Sequence, residues 1–219
     1  MSALVDAWIS EVGSKYADIH IKDKSTSTMM RVVGKLLGLF NPKFDQYITT
    51  VGTTIYVPKG FMDKNPARAL EIIVHETRHV KDYKANPVLF VLGYGAPQIF
   101  SLLAIPLVIT LLVCGLGLWS LLGLLPLVLL APIPSYGRYK SELVAYRTSL
   151  VFGKYVYDFS DIDMDLTRVW IVDQLSEKWY YWAWPFPNQI RKDLSDTSYE
   201  SEPFYVDMVE FCKKHQVKL

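Results

Sequence analysis

The run Ile72-Ile73-Val74-His75-Glu76-Thr77-Arg78-His79-Val80 sets two histidines four residues apart in an apolar context. It lies inside a segment that opens with Asn65-Pro66, an N-cap followed by a proline in the first turn, and the helix is predicted to run to about Lys84. Four residues advance a helix by about 400°, so His75 and His79 leave nearly the same face, one turn apart. Two imidazoles so placed can share one tetrahedral Zn²⁺ with bonds of about 2.0–2.1 Å. Glu76 stands beside them but is turned off that line, which suits it to accept a proton from water that the metal activates. A solvated helix can carry the same three residues by chance. Only four histidines occur in the chain, however, and two of them fall in this pattern.

Upstream, Tyr47 to Pro58 is dense in β-branched and aromatic residues and reads as strand, with Gly52 either a tight turn or a bulge. Helices are expected from Ser2 to Gly13 and from Thr28 to Phe40, both with apolar stripes at helical spacing, and neither carries chemistry. The start, Met1 to Trp8, has neither a basic n-region nor an apolar h-region, so no secretory signal is expected there.

Downstream, 53 consecutive residues from Ala85 to Gly137 contain no Asp, Glu, Lys or Arg. About 20 apolar residues cross a bilayer core, and two such spans fit, Val88 to Leu112 and Leu116 to Ile133, with a bend near Gly115 and Gly117. Pro97, Pro106 and Pro126 fall within them and imply kinks. A hairpin buried in a homo-oligomer is the other arrangement this stretch allows. Polar sequence resumes at Arg138, with a helix expected to about Tyr157 and a polar helix near Val206 to His215. The cluster from Trp179 to Trp184 suits either an interfacial belt or an aromatic core. The chain thus divides into 1–84, an apolar hairpin over 85–137, and 138–219.

A catalytic zinc takes three protein ligands and keeps one position open. Asp82, seven residues after His75, reads as a partner that orients a histidine or as a solvated acid. Glu142 is the better third ligand. It opens a helix directly after the apolar stretch, and Ala145, one turn on, would let that helix approach the histidine helix closely. Negative charge developing on a substrate carbonyl calls for a donor nearby. Tyr136, Tyr139, Tyr146 and Arg147 all lie near Glu142, with Arg147 preferred for its fixed charge unless it pairs with Glu71 or Asp82.

The balance of 23 basic and 22 acidic residues, net +1, gives no electrostatic reason to expect nucleic acid as partner. Cys114 and Cys212 form no CxxC or disulfide framework, so neither is expected to ligate zinc.

A β-rich segment, HExxH, an apolar hairpin and then Glu142-Leu143-Val144-Ala145 on a following helix resemble the gluzincin metallopeptidases. The resemblance is closest to the membrane-embedded branch that holds the heat-shock protease HtpX and the CAAX-prenyl proteases, and it covers about Tyr47 to Leu150. It implies an α+β, mainly helical chain: a small metallopeptidase domain with a short β edge, interrupted by a hydrophobic transmembrane helical hairpin. It further implies His75, His79 and Glu142 as zinc ligands, Glu76 as general base, and the β segment as the edge to which an extended protein or peptide substrate adds. Tyr146 stands where the family has aspartate, and only two spans fit, fewer than in the membrane members. Joining Glu142 to the histidines at one metal puts both flanks of the stretch on one side of the bilayer. Lys81, Lys84, Arg138 and Lys140 flank it, which points to the cytoplasmic face. The competing expectation is a membrane-inserting structural protein, such as a pore or virion component, with a structural or vestigial zinc site.

Overall fold

The computed structural model describes residues 3–38, 46–61, 65–131, 133–177 and 183–218. In chain order the α-helices are α1 (Ala3–Trp8), α2 (Ser14–Tyr16), α3 (Thr28–Gly38), α4 (Pro66–Ala85), α5 (Pro87–Gly95), α6 (Ala104–Val113), α7 (Tyr136–Tyr155), α8 (Asp161–Ser176), α9 (Pro187–Ser195) and α10 (Pro203–Lys214). The strands are β1 (His20–Asp23), β2 (Thr49–Val51) and β3 (Thr54–Val57), in the order β1-β3-β2. The fold is therefore α+β and mainly helical.

Two compact units interleave along the sequence. The first comprises Met1–Pro87, Val144–Thr167 and Asp196–Leu219, and the second comprises Val88–Leu143 and Arg168–Ser195.

In the first unit, Gly52 has φ +62°, the left-handed conformation that glycine adopts without steric cost. It makes a tight turn between β2 and β3, which pair antiparallel with Thr49 opposite Tyr56. Of the turn and the bulge that the sequence allows at Gly52, the turn forms. β1, which the sequence reading missed, pairs parallel to β3. α1 continues through a π-helical turn, Ile9–Gly13, into α2, so the expected N-terminal helix is present in three joined pieces. Trp8, Ile55, Leu70, Ile73, Phe152, Phe204, Tyr205 and Met208 are buried together. Trp8 meets the ring of Phe211 edge-on at 5.3 Å. Such pairs add about 0.5–1.5 kcal/mol beyond their area burial. Cys212 is buried in the same core, and burial pushes its thiol up to about 12.

In the second unit, the spans expected at 88–112 and 116–133, with kinks at their prolines, do not form as single helices. The chain runs as α5, a 3₁₀ helix Gln98–Leu103, α6, and a second 3₁₀ helix Gly117–Leu130. Among the described residues no single helix is long and apolar enough to cross a membrane; α5 and the Gln98–Val113 segment together have the length but bend by 90° at the break. The prolines account for this. Pro97 follows the end of α5, Pro106 falls in the first turn of α6, and Pro126 removes a donor from inside the second 3₁₀ helix. The expected bend is present at residues 114–116, where exposed Cys114 sits. α6 and the Gly117–Leu130 helix pack as a hairpin. Its outward side chains are apolar, among them Val113 at 83 % and Leu118 at 85 % exposed.

The base of this hairpin is polar. A Cβ placed on Gly137 would collide with the carbonyl group of Gly93, so the start of α7 touches the backbone of α5 directly. Ser135 Oγ donates to the Gly93 carbonyl at 3.1 Å. Within the cluster from Trp179 to Trp184, residues 179–182 lie outside the described residues. Trp184 itself stacks on Tyr139 at 5.4 Å, an aromatic-core arrangement.

Candidate metal centre

α4 forms as its sequence predicts. Asn65 Oδ1 accepts from the backbone N–H groups of Ala67 and Arg68, and Pro66 occupies the first turn. The helix is anchored through the two residues between the motif's acid and its second histidine. Trp8 Nε1 donates to Thr77 Oγ1 at 3.1 Å, and Thr77 Oγ1 donates in turn to the Ile73 carbonyl at 2.8 Å. Arg78, 7 % exposed, donates to Glu202 at 2.8 Å and pairs with Asp82 at 3.3 Å. Its guanidinium lies 5.5 Å from the ring centroids of both Phe204 and Tyr205. Burial opposes its charge, but Tyr205, Asp82 and Glu202 outweigh that and raise its pKa. Asp82 is thus the ion-pair partner of Arg78, in place of the histidine-orienting role the sequence allowed it.

With the helix held from behind, its other face presents the histidines. The rings of His75 and His79 lie 5.1 Å apart at 77°. His79 is buried and His75 partly so. Glu142, on the second turn of α7, is 1 % exposed, and Ala145, one turn on, is fully buried. One ligand atom from each of His75, His79 and Glu142 lies within 4.8 Å of the other two. Zinc bonds of about 2.0–2.1 Å in a tetrahedron set ligand atoms about 3.4 Å apart. The three are therefore a group that could hold a metal ion. Two imidazoles and a carboxylate are also the donor types that zinc takes.

Glu76 is partly exposed and accepts a hydrogen bond from Thr50 Oγ1 on β2 at 2.6 Å. Tyr146 places its ring edge-on to His75 at 4.8 Å. Arg147 is the residue preferred from sequence as the oxyanion donor. Its guanidinium lies 4.4 Å over the Tyr199 ring and 3.7 Å from Asp196. Of its two expected alternative partners, Glu71 accepts from Arg68 at 2.6 Å and from Tyr157 at 3.0 Å, and Asp82 pairs with Arg78. Tyr139 donates to Asp193 at 2.7 Å, and Tyr136 packs edge-on to Trp184.

Two participants escaped the sequence reading. Thr50 was one polar residue in a strand, and Tyr94, which donates from Oη to Glu142 Oε1 at 2.5 Å, lay in the apolar stretch. Neither has a local signal.

Compared with known proteins, the chain matches no family model, no curated protein and no solved structure.

Proposed function

We propose that this chain is a zinc-dependent, membrane-associated endopeptidase in which His75, His79 and Glu142 hold the metal and Glu76 is the general base. The observation that carries this reading is the convergence of the three ligand atoms within 4.8 Å, on helices far apart in sequence. The resemblance of the motif order to the gluzincins adds to it.

Zinc, when bound, supplies a Lewis acid that polarises a carbonyl and lowers the pKa of water. The remaining roles fall to the chain. Glu76, its Oε2 held by Thr50, accepts a proton and returns it to the departing amine. Tyr146, against His75, is the donor toward charge developing on the substrate oxygen. β2 is an edge strand of the sheet and contributes Thr50, so an extended peptide added along it would pass Glu76. The outward apolar side chains of the α6 hairpin suit insertion into lipid as a broken or re-entrant element. The basic residues flanking that stretch favour a cytoplasmic site.

The test is Glu76→Gln, assayed on a membrane-protein or unfolded-protein substrate in detergent at matched zinc content. The variant should retain zinc and fold and lose hydrolysis by about 10²–10⁴-fold. Wild type that holds zinc without any cleavage would favour the structural, membrane-inserting alternative.

A further inference from the structure

The Tyr94–Glu142 hydrogen bond joins the apolar stretch to a proposed metal ligand. Glu142 is almost fully buried, so little solvent competes for its carboxylate, and a 2.5 Å bond to Oε1 fixes the plane in which that carboxylate lies. Tyr94 is itself held on several sides. Phe90 stacks on its ring at 5.6 Å and 18°, and the Arg138 guanidinium lies 5.6 Å over the same ring. Arg138 Nε donates to the Tyr94 carbonyl at 3.2 Å, while its Nη2 donates to Gln98 Oε1 at 2.8 Å. Gln98 then donates to the carbonyls of Ala131 and Ile133, at the returning end of the apolar stretch. A continuous set of polar contacts therefore runs from the base of the hairpin through Gln98, Arg138 and Tyr94 to Glu142.

Resting on the reading of His75, His79 and Glu142 as a metal site, we infer that Tyr94 is the positioning residue for Glu142, and that metal retention is thereby governed from within the apolar stretch. The hydroxyl acts only through the carboxylate it orients. The ring is what packs against Phe90 and Arg138, so removing the hydroxyl alone separates the two functions. The same relay makes Gln98 a remote contributor, although it contacts the apolar stretch and Arg138 and not the carboxylate.

The experiment is the Zn²⁺ dissociation constant, from chelator competition on the full chain in detergent, for wild type, Tyr94→Phe, Gln98→Ala, Glu142→Gln and the Tyr94→Phe/Glu142→Gln double variant. Tyr94→Phe should weaken binding by about 10–100-fold, the usual effect of losing a group that orients a ligand. Gln98→Ala should weaken it in the same direction by less. In the Glu142→Gln background, Tyr94→Phe should change affinity by less than about 2-fold, because the coupling runs through the carboxylate. A Tyr94→Phe variant that binds Zn²⁺ as tightly as wild type, or more tightly, overturns the inference. So does an equal loss with and without Glu142, which would mark a merely structural role. Wild type that binds no Zn²⁺, or a Glu142→Gln variant as tight as wild type, overturns the metal site itself and is read independently of Tyr94.

Discussion

Thr50 Oγ1 donates to Glu76 Oε2 across 2.6 Å, which ties the sheet edge to the acid of the histidine helix. A hydrogen bond to a charged group contributes about 1.5–3 kcal/mol. On the proposed function, Thr50→Val should lower kcat by about 10–100-fold with zinc content unchanged, and Thr50→Ser should restore most of it. Steady-state kinetics on a peptide substrate at matched zinc check this. A change confined to KM would assign Thr50 to substrate binding alone.

Arg78 should matter for stability more than any other charged residue of α4. Removing one partner of a fully buried pair costs about 3–5 kcal/mol. The Glu202 side chain is 39 % exposed and can rehydrate, so Arg78→Met should cost about 2–3 kcal/mol, less than that range. The urea midpoint of the wild type and the variant measures it, provided the slope is unchanged.

Asp193 gives a pH dependence whose sign is fixed. Burial raises its pKa, but hydrogen bonds from Lys140, Tyr139 and Gln189 outweigh that and hold it below the ordinary carboxylate value. A carboxylate with a depressed folded pKa stabilises the fold above its unfolded pKa and loses that contribution as pH falls through the folded one. Asp193→Asn should therefore be less stable than wild type by about 1–2 kcal/mol near neutrality, with the gap closing below about pH 4. Denaturation curves collected between about pH 3 and 7 test this.

Gly137→Ala should disturb the base of the hairpin, since the new methyl group would meet backbone of Gly93, which cannot rotate away. Overpacking of this kind costs about 1–3 kcal/mol or more. Limited proteolysis should find the stretch between α5 and α7 cut faster than in wild type. Equal cutting rates would mean that α5 yields without loss of order.

The histidine helix was legible because its signals are local: an Asn65-Pro66 start and two histidines one turn apart. Glu142 was legible from its place after the apolar stretch and from Ala145. What failed was non-local. Thr50 and Glu76 are 26 positions apart, and Tyr94 and Glu142 are 48 apart, so no window of sequence joins them. The contacts of Arg147 with Tyr199 and Asp196 are likewise distant in sequence. In the apolar stretch the kinks that Pro97, Pro106 and Pro126 imply are legible, while how far they shorten the helices depends on the surrounding backbone. β1 is four residues long and earns its place only by pairing with β3.

The two cysteines differ in a way that makes the chain its own reporter. Cys212 is shielded in the core, and its thiol is pushed up to about 12, so almost none is thiolate near neutral pH. Cys114 stands exposed at the tip of the hairpin. A maleimide applied to the unmodified protein should therefore attach at one place, with no engineered cysteine and no background to subtract. Charged and lipid-soluble maleimides, used on protein in vesicles, would then read whether that tip faces water or acyl chains. A polarity-sensitive fluorophore on the same sulfur would follow the tip as Zn²⁺ is added.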